Sequence, residues 1–468
     1  MLSVGDEKLK RVGRRNFLVG AAMAGASGLA FDGLVRRAEL VRAIARGEAS
    51  PDAALLGRLA PAATENTREN LLSLPEGFHY TVIGQTGDKM SDGHPTPHAH
   101  DGMAAFEVNG QLRLVRNHEV NRPVGVPGAA IGPNAYDPLA GGGTTTLIID
   151  PRKRTIIRDF VSLSGTLINC AGGPTPWGSW ISCEETVLGP EKFKTASGQE
   201  QGGFSKPHGY CFDVPAAANE PVNPVPLKAM GRFVHEAIAV DPRTGIVYLT
   251  EDKGHSGFYR FIPKEKGRLA AGGKLQMLAI KGRARYDTRT QQKPGEELPV
   301  AWVDIPDPDP AAAERDPWAV YKQGIAAGAA TFNRLEGCLY GRGKIFFSST
   351  DGGDKRLGQV WEYSPSPQGD GTLKLIFEPT DPALLNMPDN LCLTKNGNLI
   401  ICEDNGTSVH LQLLTRSGQI SPVAHNVVPG FETREFAGVT LSPDGQTLFV
   451  NVQIPGMTFA IWGPWDKV

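Results

Sequence analysis

The sequence holds no GxSxG elbow, no P-loop, no GxGxxG ahead of a helix and no CxxC pair. Those absences take away the common serine-hydrolase, nucleotide-binding and zinc-ribbon chemistries. No charge sign dominates: 48 Lys and Arg stand against 50 Asp and Glu, a net charge of −2, so there is no basic footprint for nucleic acid. Cysteine is scarce, and six in 468 residues are too sparse for a disulfide scaffold. Long apolar runs are missing as well. The stretch 17–31, rich in Ala and Gly, covers 15 residues. A membrane span needs about 20 strongly apolar ones, so no stable membrane insertion is expected. With 40% hydrophobic and 21% charged residues, disorder, collagen and coiled coil are excluded.

Turn-forming residues are abundant instead. Gly 56 and Pro 36 make up about a fifth of the chain, against roughly 12% in average usage. Many turns and few long helices favour an all-β protein. The N-terminus is an address: Arg14 and Arg15 precede the 17–31 stretch, as in a Tat-type export signal. Residues 1–45 are assigned to that signal and leader, with 28–30 and 43–45 as small-x-small cleavage candidates. The Tat machinery is then an expected partner and the location periplasmic or secreted. Tat cargo crosses folded, which suits a metalloprotein loaded beforehand.

A phrase of Gly, several β-branched or aromatic residues and a polar pair recurs at Gly110, Gly178, Gly245, Gly343, Gly397 and Gly445. Seven to ten residues ahead of each glycine stands one polar residue before a short apolar strand: Asp101, Cys170, Glu236, Glu336, Asp389 and Glu435. Third and fourth strands follow most of these pairs. Four antiparallel strands repeated six times is the grammar of a six-bladed β-propeller, assigned to residues 74–468. The last repeat runs out of chain after three strands, and residues 78–84 (FHYTVIG) are expected to close the ring by completing it. A small helical insertion is expected at about 308–330.

In a propeller the first strand of each blade lines the axis. Five carboxylates and one thiol at one register would repel unless cations compensate them. Oxygen-rich positions suit calcium and a thiolate calls for a softer transition metal. The second-strand ends offer further donors: Asn117, His118 and Glu119, Glu184 and Glu185, Glu251 and Asp252, Asp351, and Glu403 and Asp404. Gly102, Gly172, Gly337 and Gly438, next to or near ring residues, are expected to leave room for metals. His94, His98 and His100 crowd one loop, as metal donors or as a solvated turn. Trp177 and Trp180 suit blade packing better than a substrate platform. The five cysteines other than Cys170 lie in apolar strands, as buried small hydrophobes.

The phrases at 169–185 (NCAGGPTPWGSWISCEE), 231–237 (GRFVHEA), 334–337 (RLEG), 387–404 (MPDNLCLTKNGNLIICED) and 435–456 resemble the PhoX family of bacterial alkaline phosphatases. That resemblance implies a Tat-exported propeller phosphatase acting on small phosphomonoesters with Fe3+ and Ca2+. Carried over by motif, Cys170 looks like the iron ligand and Glu185, Glu236 and Glu336 like carboxylate ligands. Asn117 and Arg334 look like the groups that hold phosphate. Asp101, Asp389 and Glu435 join the metal set on register. The alternatives are a calcium-dependent lactonase or esterase propeller, and a non-catalytic binding propeller stapled by calcium.

Overall fold

Successive hairpins of this chain build six antiparallel blades, and the innermost strand of each packs against the innermost strands of its two neighbours to close a ring. The computed structural model describes residues 55–468 apart from 122, 196 and 368, so the export segment expected at 1–45 lies outside the described residues. Blade 1 comprises His100–Val108, Gln111–His118, Gly142–Asp150 and Thr155–Thr166, and blade 2 Asn169–Pro174, Ser179–Glu184 and Cys211–Pro215. Blade 3 comprises His235–Val240, Val247–Glu251, Tyr259–Pro263 and Gly273–Ile280. Blade 4 holds Leu335–Gly341, Lys344–Ser349, Gln359–Pro365 and Gly371–Phe377, and blade 5 Pro388–Leu393, Leu399–Glu403, His410–Leu414 and Ile420–Asn426. Blade 6 has Phe436–Leu441, Thr447–Val452 and Met457–Trp462 from the C-terminal end of the chain.

Its fourth strand is His79–Gln85, which pairs antiparallel with Met457–Trp462. The ring therefore closes through the N-terminal strand that the missing last strand demanded. A strand at Glu297–Asp304 pairs with the outer strands of both blade 3 and blade 4 and fuses them into one sheet. Ahead of residue 74, Ala60–Ala63 and Asn70–Leu74 add two strands to the outside of blade 5. The helical insertion is a 3-10 turn at Ala311–Glu314 followed by the α-helix Ala319–Ala326.

Apolar faces of neighbouring blades interlock to form the core. Phe258 stacks on Phe347 at 4.2 Å across blades 3 and 4, with Trp361 and Tyr363 fully buried beside them. The six repeat glycines all sit at the tip of the first hairpin with φ between 67° and 87°, a region that favours Gly.

The glycines near the axis serve a different end from the one expected. A Cβ on Gly102 would lie 2.6 Å from Ala171 Cα, and one on Gly337 2.7 Å from the Asp389 carbonyl. On Gly438 it would meet the Asp101 carbonyl at 2.3 Å, and on Gly172 the Ile181 carbonyl at 1.9 Å. The space these residues leave is filled by backbone, which lets the inner strands approach, and it is not room for metals.

Candidate metal centre

The polar residues that open the inner strands share one local irregularity. In blades 1 to 5, Asp101–Gly102, Cys170–Ala171, Glu236–Ala237, Glu336–Gly337 and Asp389–Asn390 are each two residues set against one on the second strand. A β-bulge of this kind re-aims a side chain and interrupts the ladder. Repeated at one register round the ring, it gathers the side chains into three overlapping trios. Asp101, Glu119 and Cys170 bring donor atoms within 4.8 Å of one another, as do Cys170, Glu185 and Glu236, and Glu236, Glu336 and Asp389. Cys170 and Glu236 each belong to two trios. The Cys170 sulphur lies 3.3 Å from Glu236 Oε1.

Blade 6 departs from the pattern. Its bulge falls on Gly438 and Val439, and Glu435 precedes the strand altogether. Glu435 sits partly buried among the acids, its carboxyl raised by burial and by Asp404, but it joins no trio among the described residues. Its distance of ten residues from Gly445, the longest in the repeat, is the trace of that offset in the sequence.

The acid pairs at the second-strand ends are sorted by the two-residue period of a strand. The first member of each pair serves a loop. Glu184 accepts from the amides of Leu167, Gly209 and Tyr210, Glu251 from Gly257 N–H and Tyr259 O–H, and Glu403 from the amides of Asn386 and His410. The second member, Glu119, Glu185, Asp252 or Asp404, interacts with the ring acids. Asp351 is instead held by Arg356 at 2.6 Å.

Burial and mutual repulsion set the electrostatics. Desolvation, reinforced by neighbouring acids, holds the carboxyls of Glu119, Glu185, Glu236, Glu336, Asp389 and Glu435 well above the ordinary range. Asp101 is pushed up to about 7, first by burial, against hydrogen bonds from Gln453 and the Gly102 amide. The Cys170 thiol is raised by burial and by Asp101 and Glu236. Among the described residues, Arg334 is the cation ion-paired with these acids. Its Nε and Nη2 grip Asp252 at 3.0 and 3.1 Å, and Nη2 also reaches Glu336 Oε1 at 2.9 Å. Arg334 Nη1 makes no hydrogen bond to the described protein, and the side chain is 30% exposed.

Asn117 stands elsewhere. Wholly buried, its amide donates to the carbonyls of Cys170 and Ala171 and accepts from Trp180 Nε1 at 2.8 Å and Ser182 Oγ at 2.9 Å. No donor or acceptor of that amide is left for a phosphate. It faces the bulge of its own blade and latches onto the bulge of the next. Thr250 does the same to the Glu336 carbonyl at 2.6 Å and Ser348 to the Asp389 carbonyl at 2.7 Å. Asn451, one residue beyond the position opposite its own bulge, latches onto the Asp101 carbonyl at 2.6 Å. Cys183 and Cys402 occupy the position opposite the bulge in blades 2 and 5. Trp180 is thus a packing residue. His100 is spent on Thr458 Oγ1 and the Pro97 carbonyl, and none of His94, His98 and His100 joins a metal-binding trio among the described residues.

The mouth of the ring is therefore a thiol and many carboxyls with one guanidinium, a donor set that could hold cations. Glu236 Oε2 is buried without a hydrogen-bond partner among the described residues. No helix among the described residues is long and apolar enough to cross a membrane.

The family model for alkaline phosphatase PhoX matches residues 59–159 and 151–456. Among solved structures, Pseudomonas fluorescens PhoX in complex with vanadate, a transition state analogue, is 18% identical with a TM-score of 0.67, covering 88% of this chain and 99% of that one. A gluconolactonase from Xanthomonas campestris is 12% identical with a TM-score of 0.40, covering 87% and 99%. No curated protein matches by sequence. The Pseudomonas likeness shows a shared propeller fold, and with the family model spanning most of the sequence the chain belongs to the PhoX family of alkaline phosphatases, a phosphatase built on six blades.

Proposed function

We propose that this phosphatase is an exported phosphoric monoester hydrolase whose mouth holds ferric iron beside calcium. The observation that carries the reading is the thiol of Cys170 shared between two trios of otherwise carboxylate donors. A thiolate among carboxylates suits a transition metal, whereas Glu236, Glu336 and Asp389 present oxygen alone, which suits calcium. Iron would then be held by Cys170 with Asp101, Glu119, Glu185 and Glu236. Bound cations would neutralise the roughly two negative charges of a monoester phosphate and supply Lewis acidity for its hydrolysis.

The chain's own groups do the positioning. Asp252 fixes the guanidinium of Arg334 in a bidentate grip, which leaves Nη1 to bind a phosphate oxygen at the mouth. Bound cations would replace the protons of these buried acids and turn the mouth into a site for an anion. Asn117 keeps Cys170 in place from behind. The twin-arginine start of the sequence supports export through the Tat route to the periplasm or beyond.

Protein matured in the cytoplasm should contain iron and calcium by elemental analysis and hydrolyse p-nitrophenyl phosphate at alkaline pH. Cys170→Ser should lose the iron and lower kcat at least 100-fold, since even outer partners of metal ligands cost about 10–100-fold. Iron and calcium without turnover of any monoester would overturn the substrate class. Full activity in Cys170→Ser would overturn the iron site.

A further inference from the structure

A second group of metal-type donors lies behind the mouth, at the seam between blades 2 and 3. Cys183 and Cys211 are direct cross-strand partners in blade 2, with their sulphurs 3.6 Å apart. His235, on the inner strand of blade 3, places Nδ1 3.5 Å from the Cys211 sulphur. All three side chains are fully buried, and their donor atoms lie within 4.8 Å of one another. We infer that Cys183, Cys211 and His235 form a structural site for a thiophilic closed-shell cation of the zinc class, independent of the catalytic mouth.

Three observations support the assignment. The first is spacing. Around a tetrahedral centre with sulphur at about 2.3 Å and nitrogen at about 2.0–2.1 Å, two sulphurs stand about 3.8 Å apart and sulphur and nitrogen about 3.6 Å. Two of the three separations here, 3.6 Å between the sulphurs and 3.5 Å from Cys211 to His235, already match to within a few tenths of an ångström, and the third lies within 4.8 Å. The second is the imidazole. His235 Nε2 lies 3.0 Å from the Gly231 carbonyl, which only accepts, so Nε2 carries the proton and Nδ1 offers its lone pair to the sulphurs. A ligating histidine is held in this way, through its other nitrogen, by a backbone carbonyl. The third is a spare oxygen. Glu251, directly across from His235 in blade 3, keeps a buried Oε1 with no hydrogen-bond partner, an acidic neighbour for a bound cation although it lies outside the trio itself.

The place of the site explains its use. At four other seams an amide or hydroxyl opposite or next to the bulge latches onto the next blade. At the seam between blades 2 and 3 that position is Cys183, whose thiol is a weak hydrogen-bonding group. A cation shared by Cys183, Cys211 and His235 would replace the missing latch. It would pin the strands that carry Glu185 and Glu236, the residues two and one positions beyond Cys183 and His235. Loading is a simple exchange: both thiols lose their protons to solvent, two sulphur–metal bonds form, and nothing is oxidised or reduced.

The test uses the full chain carrying Cys170→Ser, so that no mouth thiolate can contribute. Zinc-loaded protein should show a first shell of two sulphurs and at least one nitrogen by zinc X-ray absorption. Cobalt exchange should give a thiolate-to-cobalt charge-transfer band in the near ultraviolet, lost on adding Cys211→Ala. Copper found on the same two sulphurs would support the site as zinc does. A zinc shell of oxygen alone, no charge-transfer band, or native protein with Cys183 and Cys211 joined as a disulfide would each overturn the assignment. The absorption measurement needs no variant at the seam itself, so a misfolded Cys211→Ala leaves the test intact.

Discussion

The side-chain amide of Asn117 donates to the main-chain carbonyl of Cys170 at 3.2 Å and to that of Ala171 at 2.7 Å. These carbonyls belong to the bulge of blade 2, which no longer pairs them regularly with its own second strand. A residue of one blade thus fixes the backbone that aims the thiol of the next. Asn117→Ala should destabilise the fold by about 1–3 kcal/mol, the cost of leaving buried acceptors unpaired. It should lower kcat about 10–100-fold, as for other outer partners of metal ligands, with KM nearly unchanged. Thermal melting and a full kinetic split would check this. A rise in KM with metal content intact would instead return Asn117 to the substrate.

Arg334 makes the opposite case. Its grip on Asp252 uses the planar fork of a guanidinium, which an ammonium cannot copy. Arg334→Ala should cost about 10²–10³-fold in kcat, the loss expected on removing one preorganised donor from a developing charge. Arg334→Lys should recover less than a tenth of that. The decisive measurement is inhibition by inorganic phosphate, which should weaken along with turnover in both variants.

Much of the site is legible in the sequence because the repeat fixes register. Asp101, Cys170, Glu236, Glu336 and Asp389 align on their glycines, and the same arithmetic places the closing strand at His79–Gln85. The bulge leaves only a faint mark, the ten-residue offset at Glu435, which looks like ordinary variation among offsets of seven to ten. Its extra residue shifts in blade 6, so register alone puts Glu435 in a ring it does not enter. The alternation of paired acids is likewise hidden, because both members of Glu184–Glu185 or Glu251–Asp252 look equally like ligands until the strand phase is known. Asn117 misleads for the same reason. Its position near the mouth is readable, but whether a side chain faces the channel or the next blade is decided by tertiary packing.

His208 anchors the loops around the mouth through charge. Its Nδ1 is 2.6 Å from Glu184 Oε1 and its Nε2 3.5 Å from Asp137 Oδ2, with all three side chains buried. Burial alone would lower its pKa, but Glu184 and Asp137 outweigh it and hold the ring up to about 9, against an ordinary 6.5. A raised folded pKa gives stability that is complete below about 6.5 and disappears as pH climbs through about 9. The full contribution is about 3 kcal/mol, since each tenfold gain in proton affinity is worth about 1.4 kcal/mol. Melting temperature should therefore drop between pH 7 and pH 10 in the wild type and much less in His208→Gln. Equal slopes in the two proteins would show that the His208 charge does not stabilise the fold.

Chelation should expose the cost of the acidic mouth. With cations removed, buried carboxyls such as Asp101, pushed up to about 7, stay protonated in the fold at pH values where the unfolded chain has already ionised. The folded state then binds more protons than the unfolded one, so its stability falls as pH rises from about 4 through 7 and beyond. The chelated protein should melt highest near pH 5 and progressively lower toward pH 8. Returning calcium and iron at pH 8 should restore the melting temperature, because the cations take the place of the protons on the same oxygens. Proton release on metal addition, followed in weakly buffered solution, should be larger at pH 6 than at pH 9. A chelated protein that melts higher at pH 8 than at pH 5 would contradict the burial of these acids as an uncompensated group.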